Sequence, residues 1–216
     1  MISNTHKTIL SSLLFAGLFL SLPSSARAVT INFEGLVDFE TVTTQYAGQG
    51  VTFVNATAAV APPDGTLNEI DFPPTSGVTL LTNFDNVLND FGAITITFGP
   101  YSMTSVSGYF TYGDYGLTGD ALSVSAFSPT DAINPLLTLT LIENFGSTAL
   151  LSFSGIGLIA SLTAIGGSGS YFTLDDLTVQ PFGTVVPEPS TWLLISVGLA
   201  GLGLRTRIAK LSRKSV

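Results

Sequence analysis

The sequence predicts an all-β body, and the order of its residue types carries that prediction. Between residues 29 and 183, short runs of Thr, Val, Ile, Leu and Phe alternate with clusters of Gly, Pro, Asn and Asp, the pattern of strands joined by turns. Ile94-Thr95-Ile96-Thr97-Phe98 and Leu137-Thr138-Leu139-Thr140-Leu141 alternate strictly, which puts apolar side chains on one sheet face and threonines on the other. No long stretch of this region keeps an apolar period of 3.6. Strands are expected near Thr30–Glu34, Val51–Asn55, Val78–Thr82, Ala93–Phe98, Thr104–Thr111, Ala121–Phe127, Leu136–Glu143, Ala149–Phe153, Leu158–Ile165 and Tyr171–Val179. Ala59–Pro74 and Tyr112–Asp120, rich in Pro or Gly, are the expected loops. So many short strands in one body of residues 29–183 favour a single β-sandwich, jelly-roll-like. An immunoglobulin-like sandwich is the alternative, but its Cys–Trp–Cys hallmark is absent.

The flanks are of another kind. His6 and Lys7 precede an apolar run from Ile9 to Leu22; Pro23-Ser24-Ser25 breaks it, and Ala26-Arg27-Ala28 supplies a small-x-small cleavage pattern. Residues 1–28 thus read as a secretory signal peptide cut after Ala28. At the other end Trp192–Leu204 is apolar apart from Ser196. At about 1.5 Å per residue this run is shorter than a hydrocarbon core of about 30 Å. A marginal transmembrane helix over about residues 191–204 is the expectation, with the arginines snorkelling beyond it. Arg205, Arg207, Lys210, Arg213 and Lys214 would keep the tail on the cytoplasmic side.

Immediately before that run stands Val186-Pro187-Glu188-Pro189-Ser190-Thr191. Pro-Glu-Pro, a short apolar helix and an Arg-rich end closely resemble the PEP-CTERM sorting signal of Gram-negative, exopolysaccharide-producing bacteria. The resemblance covers residues 186–210, with Pro187, Glu188 and Pro189 matching without substitution and Arg205 and Arg207 in the basic stop. It implies an exosortase-type membrane protease as partner, an inner-membrane-anchored intermediate, and release to the cell envelope or extracellular matrix.

Charge narrows the chemistry. Every Lys, Arg and His lies before residue 29 or after residue 204, and the chain has no Cys. The body has no imidazole base, no thiolate, no amine for a Schiff base and no guanidinium clamp. Its charged side chains are carboxylates alone, so nucleic acid is excluded as a partner because nothing neutralises phosphate. Hard cations suit such a surface, calcium first, whereas zinc, copper and iron–sulfur sites lack their usual ligands.

Two places focus this. The first strand runs into Phe33-Glu34-Gly35, and the last contains Leu174-Asp175-Asp176-Leu177. These strands resemble those of galactose-binding-like jelly rolls, including MAM domains and many carbohydrate-binding modules. The resemblance implies that first and last strands lie together, with Glu34 and Asp175 or Asp176 holding a structural calcium ion, and it makes polysaccharide the leading ligand. In the last strand Phe172 and Leu174 share one parity and Leu177 and Val179 the other, which a bulge at the Asp pair would reconcile. The second place is Gly108–Gly116, where Tyr112, Asp114 and Tyr115 form a candidate stacking and hydrogen-bonding rim for sugar, although the body has no Trp.

The expectation is therefore an exported, non-catalytic envelope or matrix protein that binds calcium and polysaccharide. The alternatives are a secreted glycoside hydrolase or lyase using Asp114 with Asp120 or Asp85 with Asp90, and a purely structural matrix protein.

Overall fold

The computed structural model describes residues 27–85, 90–113, 120–167 and 170–183. Apart from Gly183, these lie in one compact unit, Ala26–Phe182. Its strands are β1 (Val29–Ile31), β2 (Thr41–Val42), β3 (Val51–Val54), β4 (Ala56–Val60), β5 (Thr79–Thr82), β6 (Phe84–Asp85), β7 (Asp90–Phe91), β8 (Ile94–Phe98), β9 (Met103–Gly113), β10 (Leu122–Phe127), β11 (Leu137–Leu141), β12 (Ala149–Ile159), β13 (Ser161–Ile165) and β14 (Tyr171–Pro181). Among the described residues the sole helical element is a 3-10 turn, Ala47–Gln49, and no helix is long and apolar enough to cross a membrane. The expected transmembrane segment lies outside the described residues.

The strands form two main sheets. One has the order β12-β9-β14-β5-β4-β2, with β1 also on β14; the other has the order β11-β10-β13-β8-β3; β6 and β7 form a separate hairpin. All pairings are antiparallel. The body is an all-β sandwich. Alternation decides the five-stranded sheet: Ile94, Ile96, Phe98, Leu122, Val124, Ala126, Leu162 and Ala164 are buried inward, while Thr95, Thr97, Ser123, Ser125 and Thr163 take the opposite parity. From the other sheet Ala56, Ala58, Leu81, Val106, Phe110, Phe172 and Leu174 join the same core.

β14 organises the larger sheet. One edge pairs with β9, and the other pairs with β5 at Thr173 and Leu174, then with β1 at Leu177–Val179. Its register shifts between Asp175 and Thr178, and Asp176 takes a left-handed φ of 46°. This bulge lets Phe172, Leu174, Leu177 and Val179 all reach the core despite their change of parity.

The elements differ from expectation in several places, and β2, β6 and β7 lie where no strand is expected. Ala56–Val60 is a strand, though Ala59 and Val60 were expected in a loop; all five residues are buried, so both faces are covered and no alternation marks it. Tyr112 and Gly113 belong to β9 rather than to the following loop. β12 continues past Phe153 to Ile159 through Gly155 and Gly157, both at positive φ. The expected Leu158–Ile165 strand is instead the end of β12 and, after Ala160, all of β13.

A second, smaller core sits on the outer face of the seven-stranded sheet. Ala59, Ala61, Leu67, Phe72 and Leu80 pack there with Phe145 and Tyr171. The cover comes mainly from the connection of residues 61–78 between β4 and β5. Structureless loops above roughly 12–15 residues are uncommon in compact domains and usually carry function.

Candidate functional site

Pairing β1 with β14 brings the two acidic places together around one end of the 61–78 connection. Glu34 lies just past β1, after Asn32 and Phe33, and its Oε1 accepts the N–H groups of Val78 (2.9 Å) and Thr79 (3.0 Å). Asp175 Oδ2 accepts those of Thr75 (2.6 Å) and Ser76 (3.1 Å), and its Oδ1 accepts that of Asp176 (2.7 Å). Ser76 Oγ donates to Asp176 Oδ1 at 2.7 Å. Gly77 fits between these acids because it has no side chain. Its φ is +59°, and a Cβ there would stand 2.1 Å from Glu34 Oε1.

Asp175 is buried. Burial lifts its carboxyl above the ordinary value, the N–H donors of Ser76 and Thr75 pull it back, and the neighbouring Asp176 charge raises it further. As placed, this donor set does not suit calcium, which takes six to eight oxygens. Asp175 turns both oxygens, and Glu34 and Asp176 one each, toward N–H or O–H donors. Among the described residues no three His, Cys, Asp or Glu gather as a metal-holding group. The arrangement is a clamp on the chain at residues 75–79.

The opposite end of the connection is held by an acid that sequence reasoning did not single out. Asp38 Oδ1 accepts Val60 N–H at 2.9 Å, while Oδ2 accepts Thr66 N–H at 3.1 Å and Thr66 Oγ1–H at 2.9 Å. Leu67 N–H returns to Val60 O at 2.9 Å, and Ala61 N–H closes onto Val78 O at 2.7 Å. In the sequence Asp38 is one acid among many, and no motif marks it.

Beside the Asp38 anchor lies a pocket of about 290 Å³, lined chiefly by Phe39, Phe72, Phe84, Phe91 and Tyr171 with Thr66, Leu67, Asn68 and Thr82. Phe72 meets Tyr171 edge-on at 4.5 Å between ring centres and Phe145 at 5.3 Å; Phe91 lies 6.1 Å from Tyr171 and 5.3 Å from Phe84. Phe39 is 39 % exposed and adopts a left-handed φ of 62°, an outlier for a bulky residue. Asn68 Nδ2 donates to Asp71 Oδ2 at 2.6 Å, which orients its amide. The five aromatic residues are far apart in sequence, so no local signal announces the pocket.

Tyr112 is not on a rim. Its ring is fully buried in the main core and its hydroxyl donates to Ser170 Oγ at 3.0 Å, because alternation along β9 turns it inward beside Phe110. Asp114 and Tyr115 lie outside the described residues. Asp120 is exposed, and Asp85 and Asp90 pair across the β6–β7 hairpin. Ala28 is exposed, whereas Ala26, Pro187, Glu188, Pro189, Arg205 and Arg207 fall outside the described residues.

Solved structures similar to this one include two cleaved adhesin domains of Lys-gingipain. One is 14% identical, covering 71% of this chain and 99% of that chain, with a TM-score of 0.46. The other, from Porphyromonas gingivalis, is 11% identical, covering 73% and 99%, with a TM-score of 0.45. A family 35 carbohydrate binding module from Clostridium thermocellum is 13% identical, covering 71% and 98%, with a TM-score of 0.32. No curated protein matches the chain. Residues 185–208 match the PEP-CTERM protein-sorting motif; the chain carries this signal, which implies an exported protein, anchored in the membrane until an exosortase processes it.

Proposed function

We propose that this protein is a non-catalytic component of the cell envelope or extracellular matrix whose body binds a neutral polysaccharide through the aromatic pocket. The observation that carries this reading is the pocket's lining: aromatic side chains beside Thr66, Asn68 and Thr82, and no acid among the lining residues. Ring faces suit the apolar C–H faces of a sugar, and the hydroxyl and amide groups suit its hydroxyls. Hydrolysis needs a pair of carboxylates flanking the scissile bond, and this lining supplies none. The pocket is small by the standard of ligand sites of roughly 300–1,000 Å³, which favours one ring of a chain over several. A body whose only charges are acidic repels an anionic polymer and tolerates a neutral one.

Titration of the purified protein with neutral and acidic oligosaccharides tests this. Binding of a neutral glycan is expected to weaken about tenfold in Asn68→Ala, with no shortened product released. Failure of every neutral glycan to bind, or binding that ignores Asn68, defeats the reading, and shortened products defeat its non-catalytic part. For the destination, replacing Pro187, Glu188 and Pro189 by Ala is expected to hold the protein in the inner membrane. Normal release of that variant removes the envelope or matrix assignment.

A further inference from the structure

Resting on the pocket as the binding site, we infer that Asp38 is its positioning residue: it fixes one wall through Thr66 while holding Phe39, its neighbour in sequence, as the other. Three bonds from one carboxylate hold Val60 and Thr66, and Thr66, Leu67 and Asn68 are pocket-lining residues. On the other side Phe39 N–H donates to Ala58 O at 2.9 Å, pinning a bulky residue in the left-handed region. That conformation is strained for a bulky residue, and such strain persists where surrounding bonds over-determine it. Here the bonds on both sides of the Asp38–Phe39 peptide do so, and the strained turn leaves the Phe39 ring half out of the fold beside the pocket. Glu34, Asp175 and Asp176 secure the far end of the same connection, so acids clamp both ends of the pocket's cover. A core residue of the cover, Phe72, is thereby set against Tyr171 of β14.

The test needs no identified ligand. Amide exchange and ring resonances are measured by NMR in the wild type, Asp38→Asn and Asp131→Asn. Asp131 is the control because it also accepts several local bonds, from Ile133 and Asn134, and none of these residues lines the pocket. Asp38→Asn is expected to speed Thr66 amide exchange about tenfold or more, as the loss of bonds to a charged acceptor predicts. It should also move the Phe72 and Tyr171 ring resonances while Val106 and Val124 amides stay slow. Asp131→Asn should change none of these. Where Asp38→Asn loosens the whole fold, Thr66→Val removes a single bond and should move the same rings less. Unchanged Thr66 exchange overturns the inference, as does faster exchange with rings that keep their shifts. A parallel titration with methyl β-glucoside separates the two proposals. No response in the wild type, together with moved rings in Asp38→Asn, counts against glucoside binding at the pocket and leaves the positioning role standing.

Discussion

The two outer faces of the sandwich start from the same chemistry and end differently. On the seven-stranded sheet Thr41, Thr57, Thr82, Thr173 and Thr111 follow one another across five strands in register. On the five-stranded sheet Thr138, Ser125, Thr163, Thr95 and Val54 do the same. Four of the first row, Thr57, Thr82, Thr173 and Thr111, are buried. None of the second row is. The strands do not make this difference; the connections do. Residues 61–78 lay Leu67 and Phe72 over one row, and Gly146 N–H bonds Asp71 O at 2.8 Å to close the cover. Threonine, β-branched and able to satisfy its own hydroxyl, tolerates either fate. Thr111 donates to Ser147 O at 2.9 Å under the cover, and Ser125 meets Thr138 at 2.8 Å in the open.

The comparison breaks most directly by truncating each face. Phe72→Ala should cost about 3–5 kcal/mol, as for a buried aromatic, whereas Thr97→Ala on the open face should stay within about 0.5 kcal/mol. Denaturant midpoints decide this, and similar costs would mean that the cover contributes nothing to stability. Two left-handed glycines sharpen the role of the clamp. Gly77→Ala brings a Cβ onto Glu34 as well as a strained φ, while a Cβ at Gly155 (φ +69°) meets nothing within 4 Å. The first should cost about 2 kcal/mol or more and the second about 1 kcal/mol. Equal losses would show that Glu34 yields freely.

A smaller effect lies in pH. Since the folded-state value of Asp175 is raised, the folded protein binds a proton that the unfolded chain does not. The contribution of this group to stability therefore grows as pH falls from neutrality through the raised value, and levels off below the ordinary carboxylate value. The difference in melting temperature between wild type and Asp175→Asn should widen in favour of wild type across that window. A difference that narrows on acidification would reverse the assigned direction. The smallest expected effect concerns calcium: melting should be alike in millimolar calcium, magnesium and chelator. A calcium-selective rise, lost in Glu34→Gln, would replace the clamp with an ion site.

Legibility in the sequence follows from how local each signal is. Residues 94–98 and 137–141 declare their strands because one face packs against the core and the other does not. Ala56–Val60 hides its strand, since burial on both faces erases the period and alanine has little β preference. The two-residue strands β2, β6 and β7 are too short to carry any pattern. That the strands bearing Glu34 and the Asp175–Asp176 pair lie together was implied by the resemblance to galactose-binding-like jelly rolls, and the bulge at that pair was readable from the parity change in the last strand. What those acids grip was not, because their donors come from residues 75–79, in a segment with no repeating pattern. The pocket is least legible of all: its walls come from several separate stretches of chain, and tyrosines near glycine at 108–116 offered a more visible but different candidate, of which Tyr112 is core.

The place of β14 in the larger sheet also sets an order of events. It is the last strand among the described residues, yet β9, β5 and β1 all pair with it. A chain delivered across a membrane from its N-terminal end presents β9 and β5 long before their shared neighbour arrives. Both must wait with unsatisfied edges, the state most open to mispairing. Completion of the body is thus timed to the passage of Pro181, a few residues ahead of the sorting motif at 185–208. Arrest at the membrane would hold the finished strand in place while the slow, long-range pairing closes around it.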